Sequence, residues 1–289
     1  MPSLATASCA KRSAGASLPI KILAPLRGVT IRCFRQVFAA PIREYGFTEA
    51  FTPFIPAMQG VDPAKDRELK EFEPNLTVQF IGKDPAALRA ALRRIKALGY
   101  RTADLNAGCP FPMVRNKGRG SGLLKNPAVL EAMVAAGCEE MGEGNFSVKT
   151  RLGVERPGEL LELMPIFNRY PLRFLTVHPR TAKAMYSGEC DLAAYAQVAA
   201  AAEVPLILNG PGGQMIGRPF IRSLAARADI QELLGAYIAA SEAELFGERP
   251  VLGRLKELVS YWQDHPYWAK RWPLAKLART LAEFCLACR

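Results

Sequence analysis

The chain has 289 residues, 49% hydrophobic and 22% charged, enough to bury a full core in one large domain or two. No apolar run approaches the ~20 residues of a membrane span, and two histidines are too few for a His-rich metal site, so neither a membrane nor a metal is an expected partner. Lys and Arg outnumber Asp and Glu by 38 to 27, and a net charge of +11 favours a polyanionic partner, RNA or DNA first.

Residues 1–18 are rich in Ala and Ser and lack the apolar core of a signal peptide. No acidic residue precedes Glu44, as in transit peptides, but a disordered tail is the expectation here. Ile20 to Ala24 reads as a first strand, stopped by Pro25. The loop Leu26-Arg27-Gly28-Val29-Thr30 follows, then a helix to about Ala39. Phe47 to Phe51 is a second strand, and the proline-containing segment from Thr52 to Pro74 is a long loop at a strand end, where binding elements often sit.

Leu76 to Ile81 is the third strand. Asp84 caps the next helix, with Pro85 at its first position and Leu88, Leu92, Ile95 and Leu98 at helical spacing. Thr102 to Leu105 is a fourth strand, and its helix runs from Pro127 to about Met141. Phe146–Arg151, Phe174–His178 and Pro205–Gly210 follow as strands five to seven, separated by helices over Pro157–Phe167 and Leu192–Ala202. Strands of about five residues alternating with helices of ten to fifteen mean βα units and a parallel sheet. Seven such units before residue 211 predict an α/β fold, a (β/α)8 TIM barrel. Its carboxyl strand ends would present Gln79, Asn106, Lys149, His178 and Asn209 together.

From about Ser241 the pattern is helical only, and it carries Lys256, Lys270, Arg271, Lys276 and Arg279. The expected organisation is a tail over 1–18, a catalytic barrel over 19–240, and a small all-helical RNA-binding domain over 241–289. The alternative for the last is a set of helices closing the barrel end with a solvated basic face.

The fourth strand delivers Asp104-Leu105-Asn106-Ala107-Gly108-Cys109-Pro110 onto a loop that turns basic and glycine-rich from Lys117 to Leu124. A thiol beside Lys and Arg is a candidate for proton transfer or nucleophilic attack; a buried, inert Cys is the alternative. Gly118-x-Gly120-x-Gly122 does not follow a strand directly and is not a dinucleotide fingerprint. Seven cysteines at irregular spacing exclude a disulfide framework and fit a reducing cytoplasm. The one close pair, Cys285-x-x-Cys288, lies in a helical pattern with no second pair, which argues against zinc or redox use.

Residues 104–124 resemble the signature of the tRNA-dihydrouridine synthases, a family of FMN-dependent enzymes. Ala24–Thr30, Val148–Gly153, and His178-Pro179-Arg180-Thr181 with Tyr186-Ser187-Gly188 resemble three further motifs of that family, in the right order. The resemblance implies FMN at the top of the barrel. Ala24, Pro25 and Leu26 would pack near the flavin, and Gln79 and Lys149 would contact its ring. His178, Asn209 and Gly210 would line the flavin and its ribityl-phosphate side. Asn106 and Arg180 would touch the target uridine, and Cys109 would be the general acid.

The implied activity is reduction of uridine to 5,6-dihydrouridine in tRNA. Hydride would come from reduced FMN, the proton from Cys109, and electrons from NADPH or NADH visiting the flavin site in turn with RNA. A donor such as Lys149 suits the flavin edge where negative charge develops on reduction, and the target base must leave its stack to reach the flavin. A cytoplasmic monomer is expected. The alternatives are the same reduction on ribosomal RNA, a flavin-barrel oxidoreductase acting on a free small molecule, and a catalytically silent RNA-binding barrel. Net charge argues against the free small molecule, and the presence of Cys109 and Lys149 against the silent barrel.

Strand eight is the ambiguous element. The family's eighth strand ends in Met-Ile-Gly-Arg, part of the FMN phosphate cup, and Met215-Ile216-Gly217-Arg218 carries those letters. Only Pro211 to Gln214 separate it from strand seven, a span of about 14 Å at most, whereas a parallel neighbour needs a crossover of about a dozen residues. The sequence therefore predicts a helix over 216–228 and strand eight at about Ile230 to Leu234. Gly235 and Ala236 would then lie at the phosphate, Arg218 on the outer helix, and FMN would bind loosely for want of an Arg.

Overall fold

In the computed structural model, which describes residues 20–289, the strands are β1 (Ile22–Leu23), β2 (Glu49–Phe51), β3 (Ile55–Pro56), β4 (Leu76–Ile81), β5 (Ala103–Ala107), β6 (Phe146–Gly153), β7 (Leu175–Thr181), β8 (Leu206–Leu208) and β9 (Met215–Ile216). The helices are α1 (Arg32–Val37), α2 (Ala39–Glu44), α3 (Pro85–Ala97), α4 (Pro112–Arg115), α5 (Pro127–Met141), α6 (Glu159–Asn168), α7 (Leu192–Ala201), α8 (Arg218–Ser223), α9 (Ile230–Glu244), α10 (Glu248–Ser260), α11 (Pro266–Leu277) and α12 (Leu281–Cys288). The tail expected over 1–18 lies outside the described residues.

Every ladder is parallel, in the order β8-β7-β6-β5-β4-β2-β1-β9, with β3 paired to β4 as an offshoot. Eight strands thus form a TIM-type barrel that is laddered everywhere except between β8 and β9. Side chains alternate across the wall, as strand geometry requires. Ile22 and Ala24 pack with Phe51, Phe174, Ile207 and Met215 in one cluster, while Leu23 between them packs with the helices. On the opposite arc the buried residues are polar: Gln79, Asp104, Asn106, Ser147 and Thr176. The outer core over β4–β8 is filled by α3, α5, α6 and α7, through residues such as Leu92, Leu130, Leu160, Phe167 and Val198, packed on strand residues such as Phe146.

A second outer core joins the start of the chain to its end. Phe34 of α1 and Phe38 at the junction of α1 and α2 stack at 4.4 Å between ring centroids, and both meet Tyr237 of α9 edge-on. The indole N–H of Trp262 donates to the Ile221 carbonyl and that of Trp268 to the Ala225 carbonyl. The C-terminal helices are thereby pinned to α8 and the segment after it. The segment Thr52–Pro74 is tied down rather than loose. Arg35 binds Glu68 and Glu73, and Arg32 binds Glu71 of that segment and Glu244 of α9.

Strand eight departs from the sequence expectation. Met215–Ile216 is the eighth barrel strand, in register with Ile22–Leu23 of β1. Ile230–Glu244 is a helix, so Gly235 and Ala236 stand on α9. Of the helix expected over 216–228, only the part from Arg218 forms. The crossover requirement governs neighbours joined by a backbone ladder, and β8 and β9 share none. Side chains bridge them instead: Gln214 Oε1 accepts from the Leu208 N–H at 3.0 Å, and Asn209 Nδ2 donates to the Met215 carbonyl at 2.9 Å. The link doubles back through glycines. Gly212 has φ +69°, and a Cβ on Gly213 would sit 2.2 Å from the Leu208 carbonyl oxygen.

Candidate active site

The carboxyl ends of the strands enclose a cavity of about 540 Å³, within the range of small-molecule sites. Ala24, Pro25 and Leu26 line it after β1, Gln79 on β4, and Asn106 and Cys109 at the end of β5. Lys149 lines it from β6, His178 and Arg180 from β7, and Asn209 and Gly210 after β8. Gly235 and Ala236 do not. The letters rejected as a decoy do, because Met215, Ile216, Gly217 and Arg218 all lie on the cavity wall. The inference of loose FMN binding falls with that correction, since its basis was a missing Arg at this position.

The Cys109 loop is held from three sides. The Asn106 side-chain oxygen accepts from the backbone N–H groups of Gly108 and Cys109, at 3.1 and 2.8 Å. The backbone N–H and hydroxyl of Ser121 both donate to the Cys109 carbonyl. Gly120 lies so close that a Cβ there would meet the Cys109 Cβ at 2.8 Å, and its φ is +57°. This is why the glycine-rich run follows the Cys. Arg151, quoted in a motif but given no role, donates to the carbonyls of Gly108, Thr181 and Met185 and so ties this loop to the one after β7.

Burial pushes the Cys109 thiol above its ordinary range, against the pull of the Phe111 backbone N–H and of Arg151, Arg27 and Lys149. At neutral pH the sulfur therefore carries its proton. Lys149 is moved the other way, down to about 8, by burial and then by Arg151. Among the described residues its amine has no hydrogen-bond partner. His178 is pushed down to about 2 by burial and by the cations Lys149, Arg151, Arg180 and Arg218. Arg180 Nη1 lies 2.9 Å from His178 Nε2. A guanidinium only donates, so Nε2 is the acceptor and the proton sits on Nδ1.

Sequence reasoning missed Arg27, Arg151, Arg218, Arg222 and Tyr186 as lining residues. Arg218 lies over the Tyr186 ring, 4.7 Å from its centroid, and Arg151 at 5.3 Å. Arg27 and Tyr186 stood inside motifs already in view, but no local pattern marks Arg222. Every charged side chain on the cavity wall is a cation: Arg27, Lys149, Arg151, Arg180, Arg218 and Arg222, with no Asp or Glu among them. Such a wall suits an anionic ligand, and the Lys149 amine in particular lacks an acceptor that a ligand could provide. The group that the motifs imply, a flavin mononucleotide with its phosphate and reducible ring, fits these donors.

Curated relatives include tRNA-dihydrouridine synthase B of Vibrio cholerae, 30% identical over 194 residues, covering 65% of this chain and 59% of the relative. The enzyme of the same name from Pseudomonas aeruginosa is 30% identical over 195 residues, covering 65% and 57%. The chain thus spans less than two thirds of the length of the curated relatives it matches. Morphinone reductase, 12% identical over 70% of this chain and 83% of its own, superposes with a TM-score of 0.50. An old yellow enzyme homologue from Zymomonas mobilis does so at 13% identity, over 70% and 85%, again with 0.50. These two share the barrel fold. The family model described as dihydrouridine synthase matches residues 22–212, from β1 to the glycine turn before β9. That match takes in most of the chain and seven of the eight barrel strands, and the chain belongs to the dihydrouridine synthase family.

Proposed function

We propose that this protein reduces uridine to 5,6-dihydrouridine in tRNA, in the cytoplasm, with FMN held in the cavity and NADPH or NADH as the electron donor. One observation carries the reading: a protonated, buried thiol and an unpartnered lysine amine share a wall whose charges are all positive. Ala24–Leu26, Lys149 and His178 would hold the flavin ring, with Arg218 and Arg222 supplying positive charge for its phosphate. FMN, when bound, supplies the hydride for the uracil C5=C6 bond. Cys109 holds the proton destined for C5. Arg180 is braced by two donations to the Gly188 carbonyl and one to His178, which leaves its remaining N–H groups for the uracil carbonyls.

The RNA around the target would be held mainly by its phosphates and shape. Lys270 and Lys276 of α11 and Arg279 between α11 and α12 are exposed, and no ion pair engages them among the described residues. Lys256 and Arg271 are spent internally, on the carbonyls of Ala278, Tyr267 and Arg289. We assign RNA gripping to this module, residues 241–289. The test is an unmodified tRNA transcript incubated with the purified protein, FMN and NADPH, then mapped by mass for uridines that gain two hydrogens. Product from ribosomal RNA or free uracil but none from tRNA would replace this reading with one of the alternatives.

Lys149 gives an independent check. Its amine titrates near 8, so the positive charge available to the flavin is lost as pH rises through that value. FMN affinity, read from quenching of flavin fluorescence, should weaken several-fold across this window in the wild type. In Lys149→Met it should be weaker at the outset and flat with pH. A pH response identical in the two proteins would remove Lys149 from the flavin site.

A further inference from the structure

The motif that carries Cys109 also carries a carboxylate that the proposed chemistry does not use. Asp104 points into the barrel interior two residues before Asn106 and is fully buried. It ends a chain of hydrogen bonds that starts at the catalytic loop. The N–H groups of Gly108 and Cys109 donate to Asn106 Oδ1, Asn106 Nδ2 donates to Gln79 Oε1 at 2.8 Å, and Gln79 Nε2 donates to Asp104 Oδ2 at 2.8 Å. Ser147 Oγ donates to the other carboxylate oxygen at 2.7 Å.

The direction of the chain is forced from the loop inward. Backbone N–H groups can only donate, so Asn106 must present its oxygen to them and its NH₂ to Gln79. Gln79 must in turn present its oxygen to Asn106 and its NH₂ to the next partner. That partner has to be a pure acceptor in this direction, and Asp104 is one. A neutral carboxyl still satisfies the chain, because its protonated oxygen can donate to the Ser147 hydroxyl, which accepts as well as donates. This tolerance matters in a core where burial pushes the Asp104 carboxyl up to about 7.

We propose that Asp104 is a positioning residue: as the terminal acceptor it orients Gln79 and Asn106, and through them it fixes the backbone that aims the Cys109 thiol into the cavity. Without it, the Gln79 amide loses the acceptor on its nitrogen side and can turn over. A turned Gln79 presents NH₂ to the NH₂ of Asn106. Asn106 then either loses that bond or turns too, and turning abandons the two loop N–H groups.

The substitutions Asp104→Leu and Asp104→Asn separate this from a merely structural role. Asn can present its oxygen to Gln79 and its NH₂ to Ser147 Oγ, so the chain keeps its direction; Leu cannot. The proposal rests on the reading of Cys109 as proton donor, so one readout is independent of RNA chemistry. That readout is the rate of Cys109 alkylation by iodoacetamide, followed on the Cys109 peptide by mass spectrometry. In Asp104→Leu, that rate should change about 3-fold or more, and Asp104→Asn should match the wild type. Single-turnover dihydrouridine formation should fall on the order of 10-fold to 10²-fold in Asp104→Leu and should be restored in Asp104→Asn. If Asp104→Leu does not fold, Gln79→Met cuts the same chain one link nearer the loop and should show the same alkylation change. Wild-type alkylation in a folded Asp104→Leu, or in Gln79→Met, overturns the proposal, as does an Asp104→Asn as impaired as Asp104→Leu. Should Cys109 prove not to be the acid, only the turnover readout loses its meaning, and the alkylation result still decides the positioning role.

Discussion

Replacing Cys109 with Ala should lower dihydrouridine formation by about 10²–10⁴-fold, the usual worth of a positioned general acid, while leaving FMN binding and nicotinamide oxidation nearly intact. Cys109 is 7% exposed and burial raises the pKa of its thiol, so the sulfur holds its proton at neutral pH and stands at the cavity wall with it. Cys109→Ser keeps the shape but loses the acidity, and should behave much like Cys109→Ala. The measurement is single-turnover reduction with enzyme whose flavin has been reduced beforehand, which isolates the RNA step from the nicotinamide step. Unchanged rates in Cys109→Ala would return this residue to the class of buried, inert cysteines.

RNA affinity should fall steeply with salt, by about 10³-fold or more between 50 and 200 mM if six or more phosphates are contacted. The chain carries +11, six cations face the cavity without an acid among them, and Lys270, Lys276 and Arg279 are exposed on α11 and the turn after it. Deleting residues from 241 is a poor test of that module. Leu255, Trp262 and Trp268 share a buried cluster with Phe34, Phe38 and Ile221, and truncation would open a core that belongs to the barrel wall as well. Charge reversal at Lys270, Lys276 and Arg279 spares the core and should both weaken binding and flatten the salt slope. Filter binding or anisotropy across a salt series reads both. An affinity indifferent to salt would favour a small neutral substrate over RNA.

Much of the barrel was legible because parallel strands and amphipathic helices leave strong local patterns. The runs Leu76–Ile81 and Phe146–Gly153 are apolar at nearly every outward position, and Asp84 with Pro85 marks its helix start by a cap that is local by nature. The residues expected at the strand ends converge on one cavity for the same reason: the period of a strand fixes which side chains face inward. Strand eight was misplaced because two residues are too few for any periodicity, and the argument against them assumed a backbone ladder to β8. The barrel dispenses with that ladder. Two side chains, Asn209 and Gln214, bridge the seam, and contacts of that kind have no signature in a linear pattern.

The sequence by itself determined the fold class, the family, the thiol on its glycine-braced loop and the positive balance of charge. These are properties of local spacing and composition, and they do not depend on which distant segments meet. Only the tertiary structure decided that Arg218 belongs to the cavity, that Gly235 stands on an outer helix, and that Asp104 is joined to the Cys109 loop through Gln79. Each of these turns on the register between neighbouring strands, as where Gln79 stands opposite Asp104. Register is set by the packing of the whole barrel, because a shift of one residue would send every inward side chain to the other face.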